Sequence, residues 1–105
     1  MRQANKKTRV LAFGTFDLLH PGHHSFLQQA KKLGTELMVV VARYKNVRLL
    51  KGITPAQEER LRLQAVRAIP GVHKAMLGEQ NFDHRYRLVK RVKPDIIVLG
   101  YDQHP

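Results

Sequence analysis

The chain has 105 residues, 43% of them hydrophobic, and a formal net charge of +11. That length fits one compact domain with a modest core. The absence of cysteine excludes disulfides and thiolate metal sites, and no apolar run approaches the ~18–20 residues of a membrane span. The charge favours anionic partners such as nucleotides and phosphates, and the lack of a signal-peptide apolar core predicts a cytoplasmic protein.

In chain order, residues 1–8 read as a flexible basic arm, and residues 9–105 as a single domain. Arg9–Phe13 predicts a buried strand, followed by a loop from Gly14 to Gly22. A helix is expected from about His23 to Leu33, because Phe26, Leu27, Ala30 and Leu33 fall on one face; Gly34 is its stop. Glu36–Ala42 is a continuous apolar run, the pattern of a strand covered on both faces. Arg43 to Lys51 reads as a basic loop. Thr54 as N-cap, Pro55 at the first helical position and Glu58 soon after predict a second helix, with Leu63, Ala65, Val66 and Ile69 as its apolar stripe and Pro70-Gly71 as its end.

Val72–Leu77 predicts a weaker strand. Asn81 or Asp83 is placed to cap a third helix carrying Phe82, Tyr86, Val89 and Val92, which Pro94 stops. Ile96–Leu99 is a last buried strand before Gly100. Strands that alternate with helices in this way predict an α/β, Rossmann-like three-layer fold, a parallel sheet of about four strands with three helices. Ligands of such sheets bind beyond the C-terminal strand ends. That rule selects segments 14–23, 42–51, 77–81 and 100–105, of which the third carries little beyond Gly78 and Glu79.

The first segment is the most informative. Gly14-Thr15-Phe16-Asp17-Leu18-Leu19-His20-Pro21-Gly22-His23 sets two histidines where a strand gives way to a helix N-terminus, whose unpaired N–H groups and partial positive charge suit phosphate. Imidazole donors there would stabilise charge building on a pentavalent phosphorus, and Gly22 leaves room for a nucleotide against the backbone. The alternative is a polar loop whose histidines merely cap the helix. Zinc is thinly supported, since neither a third ligand nor a nearby carboxylate accompanies the pair. His24 is expected on the surface.

That ten-residue stretch resembles the nucleotidyltransferase superfamily marked by His-x-Gly-His, in its cytidylyltransferase-like branch. Leu99-Gly100-Tyr101-Asp102-Gln103 is similar to the matching strand end of archaeal-type FAD synthetases, close relatives of the glycerol-3-phosphate cytidylyltransferases. So are Ala30-Lys31-Lys32-Leu33-Gly34 and Lys93-Pro94-Asp95-Ile96-Ile97. The resemblance covers about residues 9–104.

It implies direct displacement: an acceptor phosphate attacks the α-phosphorus of ATP or CTP and pyrophosphate leaves. Under it, His20 and His23 contact the triphosphate and stabilise the transition state, and Lys51 neutralises phosphate charge. Gly14, Thr15, Phe16, Gly22, Gly100, Tyr101 and Asp102 line the nucleotide pocket. Asp17 organises the loop or the acceptor side, or is a plain Asx-turn residue. Arg62 matches an arginine of relatives, with a surface pair to Glu58 as the alternative. Asp102 binds the ribose or helps to hold magnesium, which the triphosphate leaving group calls for, or is a simple turn residue. Tyr44 stands where many relatives have an aspartate.

The implied reaction is adenylyl transfer from ATP to FMN. The alternatives are cytidylyl transfer from CTP to glycerol 3-phosphate or a similar phospho-alcohol, and a non-catalytic nucleotide-binding module. The last is prompted by a segment of relatives resembling Arg-Thr-x-Gly-Ile-Ser-Thr-Thr that these 105 residues do not contain. The family allows a homodimer. Charge alone speaks for nucleic acid, with no reader motif behind it.

Overall fold

The computed structural model describes residues 7–100. Residues 1–6 of the expected arm, and Tyr101 and Asp102 of the expected pocket, lie outside the described residues.

Four strands form one parallel sheet: β1 (Arg9–Gly14), β2 (Glu36–Val41), β3 (Lys74–Leu77) and β4 (Ile96–Leu99), in the order β3-β2-β1-β4. In register, Leu11 stands between Met38 and Ile97, and Val39 beside Ala75. Alternation sorts the side chains to two faces. Val10, Ala12, Leu37, Val39, Val41 and Ala75 meet Leu27 and Ala30 of α1 (Pro21–Lys31) and Leu63 and Val66 of α3 (Glu59–Arg67). Leu11 and Val40 meet Leu88 and Val92 of α4 (Arg87–Val92) on the other face. Sheet and two helical layers thus form the predicted three-layer arrangement.

Two expectations are corrected. The stretch read as a basic loop contains a helix, α2 (Tyr44–Lys51), so the described residues hold four α-helices rather than three, with a 3-10 turn over Phe82–His84 besides. Its charges lie along an exposed side, Lys45 and Arg48, while Val47 turns inward and is 2% exposed. The second correction is a helix start. Thr54 caps nothing; α3 begins at Glu59, with Glu58 at its cap position. The reason is tertiary. The backbone N–H groups of Ala56 and Gln57 donate to the Asp17 carboxylate at 2.7 and 2.9 Å, so this stretch is held as a loop against the β1–α1 connection.

Strands β1, β2 and β3 step across the sheet in one direction, and β4 returns to the other side of β1. The topological switch point therefore lies between β1 and β4, where an open α/β sheet receives its ligand. The Gly14–His23 connection leaves β1 at this point. Gly100 closes the opposite side, its N–H bonded to the Phe13 carbonyl at 3.1 Å. Among the described residues no helix is long and apolar enough to cross a membrane.

Candidate active site

The connection after β1 is shaped by close approaches. A Cβ on Gly14 would lie 2.7 Å from the Phe16 ring, so only glycine lets that ring fold back into the core, where Phe16 is 2% exposed. Phe16 meets His23 edge-on at 5.7 Å and Phe26 at 6.3 Å. The fold-back requires left-handed backbone at Phe16 (φ 55°) and again at exposed Leu18 (φ 51°), a conformation that disfavours any residue with a Cβ. Three hydrogen bonds hold the turn in place. Asp17 accepts the two N–H groups named above, and the Leu18 N–H donates to Gln57 Oε1 at 3.0 Å.

At the α1 N-terminus the two histidines form a reciprocal cap. His20 Nδ1 accepts the Gly22 N–H at 3.0 Å, and His23 Nδ1 accepts the His20 N–H at 3.3 Å. The rings stack, centroids 3.9 Å apart at 29°. Gly22 is required beneath them, since a Cβ there would lie 2.8 Å from His20 Cε1. A ring nitrogen that accepts a hydrogen bond carries no proton, so each neutral imidazole bears its hydrogen on Nε2. Capping therefore occupies one nitrogen of each ring and makes the other a donor. His20 is exposed and His23 buried, while His24 is exposed as expected.

Other predicted residues converge on the same loop. Lys51, in the last turn of α2, places Nζ 3.0 Å from Thr15 Oγ1. Arg62 is fully buried, not on the surface with Glu58. Its guanidinium donates to the carbonyls of Thr15 (2.9 Å), Ala42 (2.8 Å) and Gln57 (3.0 Å). It thereby ties the C-terminal ends of β1 and β2 to the start of α3. Its Nη2 has no hydrogen-bond partner among the described residues. Burial lowers the Arg62 pKa, against the pull of Asp17 and Glu59.

Sequence reasoning passed over a second cluster beside this one. Glu59, one turn before Arg62, accepts from Arg43 Nη1 and from the Tyr44 N–H, both at 2.8 Å. Arg43 Nε also donates to the Gly78 carbonyl at 2.8 Å. Arg43, Tyr44, Lys45, Glu59 and Gln80 line a cleft of about 300 Å³ at the ends of β2 and β3. Just beyond, the Arg85 guanidinium lies over the Phe82 ring at 4.1 Å and the Tyr86 ring at 4.8 Å. The one hint in the sequence was an acid, Glu59, at the head of a helix next to a strand end rich in bases.

Burial raises the Glu59 pKa, but the Tyr44 N–H, the Arg43 guanidinium and the Arg62 charge together outweigh it and hold the carboxyl below its ordinary 4.5. A depressed folded-state value means that Glu59 stabilises the fold above about pH 4.5 and stops doing so as the pH falls through the lower, folded-state value. Glu59→Gln should therefore flatten the acid side of the stability profile. Its melting temperature will drop less between about pH 6 and about pH 3 than that of the native chain. An equal drop in both would show that the carboxylate contributes no such linkage.

Comparison with known proteins places these features in context. A family model described as cytidylyltransferase-like matches residues 11–105. The chain is 52% identical over 95 residues to a FAD synthase of Archaeoglobus fulgidus and 54% identical over 97 residues to a FAD synthase of Archaeoglobus profundus. It is 50% identical over 104 residues to a FAD synthase of Methanosarcina acetivorans. These alignments take in 90%, 91% and 98% of this chain but 66%, 59% and 66% of the relatives, so the chain spans less than two thirds of their length. A crystal structure of a lipopolysaccharide core biosynthesis protein from Thermoplasma volcanium superposes with a TM-score of 0.87 at 44% identity, over 95% of this chain and 80% of that one.

Proposed function

The chain belongs to the cytidylyltransferase-like family, and from that premise we propose that residues 9–105 form the nucleotide-binding domain of an adenylyltransferase that joins AMP from ATP to FMN and releases pyrophosphate. The observation that carries the reading is the stacked, reciprocally capped pair His20–His23 at the helix N-terminus after β1. The choice of FMN and ATP is supported by the naming of its relatives as FAD synthases.

In this reading an FMN phosphate oxygen attacks the α-phosphorus of ATP. The new P–O bond forms as the bond to the β-phosphate bridging oxygen breaks, and no covalent enzyme intermediate arises. The Nε2–H groups of His20 and His23 donate to phosphate oxygens whose charge grows in the transition state. Lys51 adds positive charge beside Thr15 at the phosphate end. Gly14, Phe16 and Gly22 set the shape of the loop, and Asp17 and Arg62 hold it in position. Gly100, beside the end of β1, borders the nucleotide.

Magnesium enters the proposal as the counter-ion of the triphosphate. Among the described residues no group of three His, Cys, Asp or Glu side chains is placed to hold a metal, and the sequence candidate Asp102 lies outside them. The cytoplasm, where ATP is abundant, is the proposed location.

The test is direct. The purified chain, with magnesium, is given ATP and FMN in one reaction and CTP and glycerol 3-phosphate in another, and pyrophosphate and product are followed. FAD formed from the first pair alone supports the proposal. Cytidylyl transfer from the second pair overturns the choice of substrates. ATP binding with no pyrophosphate from either pair leaves a nucleotide-binding module in its place.

A further inference from the structure

On the surface built by Phe82 to Lys93 we propose a binding site for single-stranded nucleic acid, with phosphates along α4 and an unpaired base on Tyr86. It is independent of the adenylyl-transfer reading. Arg85, Arg87, Lys90, Arg91 and Lys93 are five of the chain's 19 Lys and Arg residues, and no acidic residue lies between His84 and Pro94. Leu88 and Val92 of α4 turn inward onto Leu11 and Val40. Arg87, Lys90 and Arg91, at i, i+3 and i+4, therefore share the exposed side of the helix. Arg91 lies 4.0 Å from Glu79, the limit of an ion pair, and its side chain stays 69% exposed, so its charge remains open to a ligand.

Charge alone would suit a bilayer or an acidic peptide as well as a nucleic acid. The aromatic groups decide between them. The Arg85 guanidinium lies over the Phe82 ring at 4.1 Å and the Tyr86 ring at 4.8 Å, and its Nη1 donates to the Phe82 carbonyl at 3.0 Å. Three flat groups are thus held together as one platform. Phe82 is half-buried, whereas Tyr86 is 61% exposed, the only exposed aromatic residue among the described residues. Cations beside an open ring are what a single strand requires, since every base has a face to stack and every link a phosphate. An acidic peptide would engage the cations and leave the ring unused. A bilayer calls for apolar side chains beside the cations, but Leu88, Val89 and Val92 of α4 are packed on the core.

The platform excludes a duplex, whose base faces are hidden in the stack. It also shares no side chain with the site after β1. Helices α1 and α3, which carry His23 and Arg62, pack on one face of the sheet, and α4 packs on the other. From Arg87 to Arg91 the helix rises about 6 Å, so the cations address a few nucleotides and read no sequence. Three phosphate contacts on a single strand give a log–log salt slope of about −2, a loss of affinity of about 20-fold between about 50 and about 200 mM salt.

The experiment titrates the chain into fluorescein-labelled oligonucleotides of about 12 nucleotides: a mixed-sequence single-stranded RNA, the same sequence as DNA, and its duplex. Anisotropy is followed at both salt concentrations. Binding of either single strand, tighter than of the duplex, supports the site, and the tighter of the two names the nucleic acid. The triple variant Arg87→Gln, Lys90→Gln, Arg91→Gln should bind at least about tenfold more weakly, with a shallower salt slope. Tyr86→Ala should weaken binding about tenfold with the slope unchanged. A charge-matched control, Lys32→Gln, Arg60→Gln, Lys74→Gln, removes three exposed cations from α1, α3 and β3 and should bind like the native chain. A control that loses as much as the α4 variant would show net charge at work and no site. Equal binding of duplex and single strand, with Tyr86→Ala without effect, overturns the proposal. So does a chain that binds no oligonucleotide but sediments with phosphatidylglycerol vesicles, which makes the surface a membrane contact. Thermal melts check folding. A triple variant without a thermal transition is replaced by Arg87→Gln, Lys90→Gln, which leaves Arg91 beside Glu79; native affinity in that variant counts against the site.

Discussion

His20→Asn will keep the fold and abolish most of the chemistry. Asparagine is among the best N-cap residues, so the oxygen of the new side chain can take over the Gly22 N–H that His20 Nδ1 now accepts. The melting temperature should stay close to the native value. What asparagine lacks is the imidazole Nε2–H. With it gone, pyrophosphate release from ATP and FMN should fall by at least about 100-fold, the usual effect of removing one donor to a developing phosphate or oxyanion charge. His20→Ala loses both functions and adds a stability cost of about 1 kcal/mol for the missing cap. The contrast between asparagine and alanine separates the two roles open to this residue. If His20→Asn retains native turnover, the histidine is a cap and nothing more, and the active-site assignment fails. His23→Ala should show the same loss of rate, with an added packing defect where Phe16 now meets its ring.

Arg62→Ala carries the largest expected effect on stability, about 3–5 kcal/mol. The side chain is wholly buried and donates to three backbone carbonyls from three different segments. Truncation leaves those carbonyls without their donor and opens a cavity where β1, β2 and α3 meet. A domain of this kind has about 5–15 kcal/mol in total, so urea unfolding should show a large shift in midpoint. Lysine at this position restores the charge but cannot span three acceptors arranged around a planar fork, and should recover less than half of the loss. A measured cost under about 1 kcal/mol would mean that the three bonds are replaceable by water and that Arg62 organises nothing.

Much of this was legible in the sequence for a physical reason. A parallel strand buried on both faces must be a continuous apolar run, and Glu36–Val41 is such a run; Ile96–Leu99 is apolar too and forms the expected strand, but not a buried one, because at the edge of the described sheet it leaves Ile97 and Leu99 exposed. The histidine motif was legible because a helix N-terminus and its caps are local chemistry. What remained hidden depended on partners far along the chain. Nothing near Thr54 and Pro55 says that Asp17, some forty positions earlier, will take the N–H groups a helix would need there. The charge of Arg43–Lys51 suggested a loop because of its two buried residues, Asn46 and Val47, only Val47 is apolar, too little signal to announce a helix of eight residues. Arg62 was taken up as a site residue, but its burial could not be foreseen, since a fully buried arginine is rare and its acceptors are main-chain atoms invisible to any side-chain pattern. The cleft under Tyr44 and Gln80 was missed for a similar reason: it is assembled from three separate strand and helix ends.

The strand order has a kinetic side. Strand β1 finds one neighbour nearby in sequence, since only α1 separates it from β2, whereas its other neighbour is β4, and the Arg9 N–H bond to Asp95 spans 86 positions. Closing so long a loop costs chain entropy before any contact rewards it. Pairing of β1 with β2 should therefore precede its pairing with β4, an order that pulse-labelled hydrogen exchange during refolding would report. Because β4 also leaves Ile97 and Leu99 nearly half exposed, it is the least buried of the four strands and should show the weakest amide protection. One wall of the switch-point crevice is thus the part of the sheet expected to open most readily.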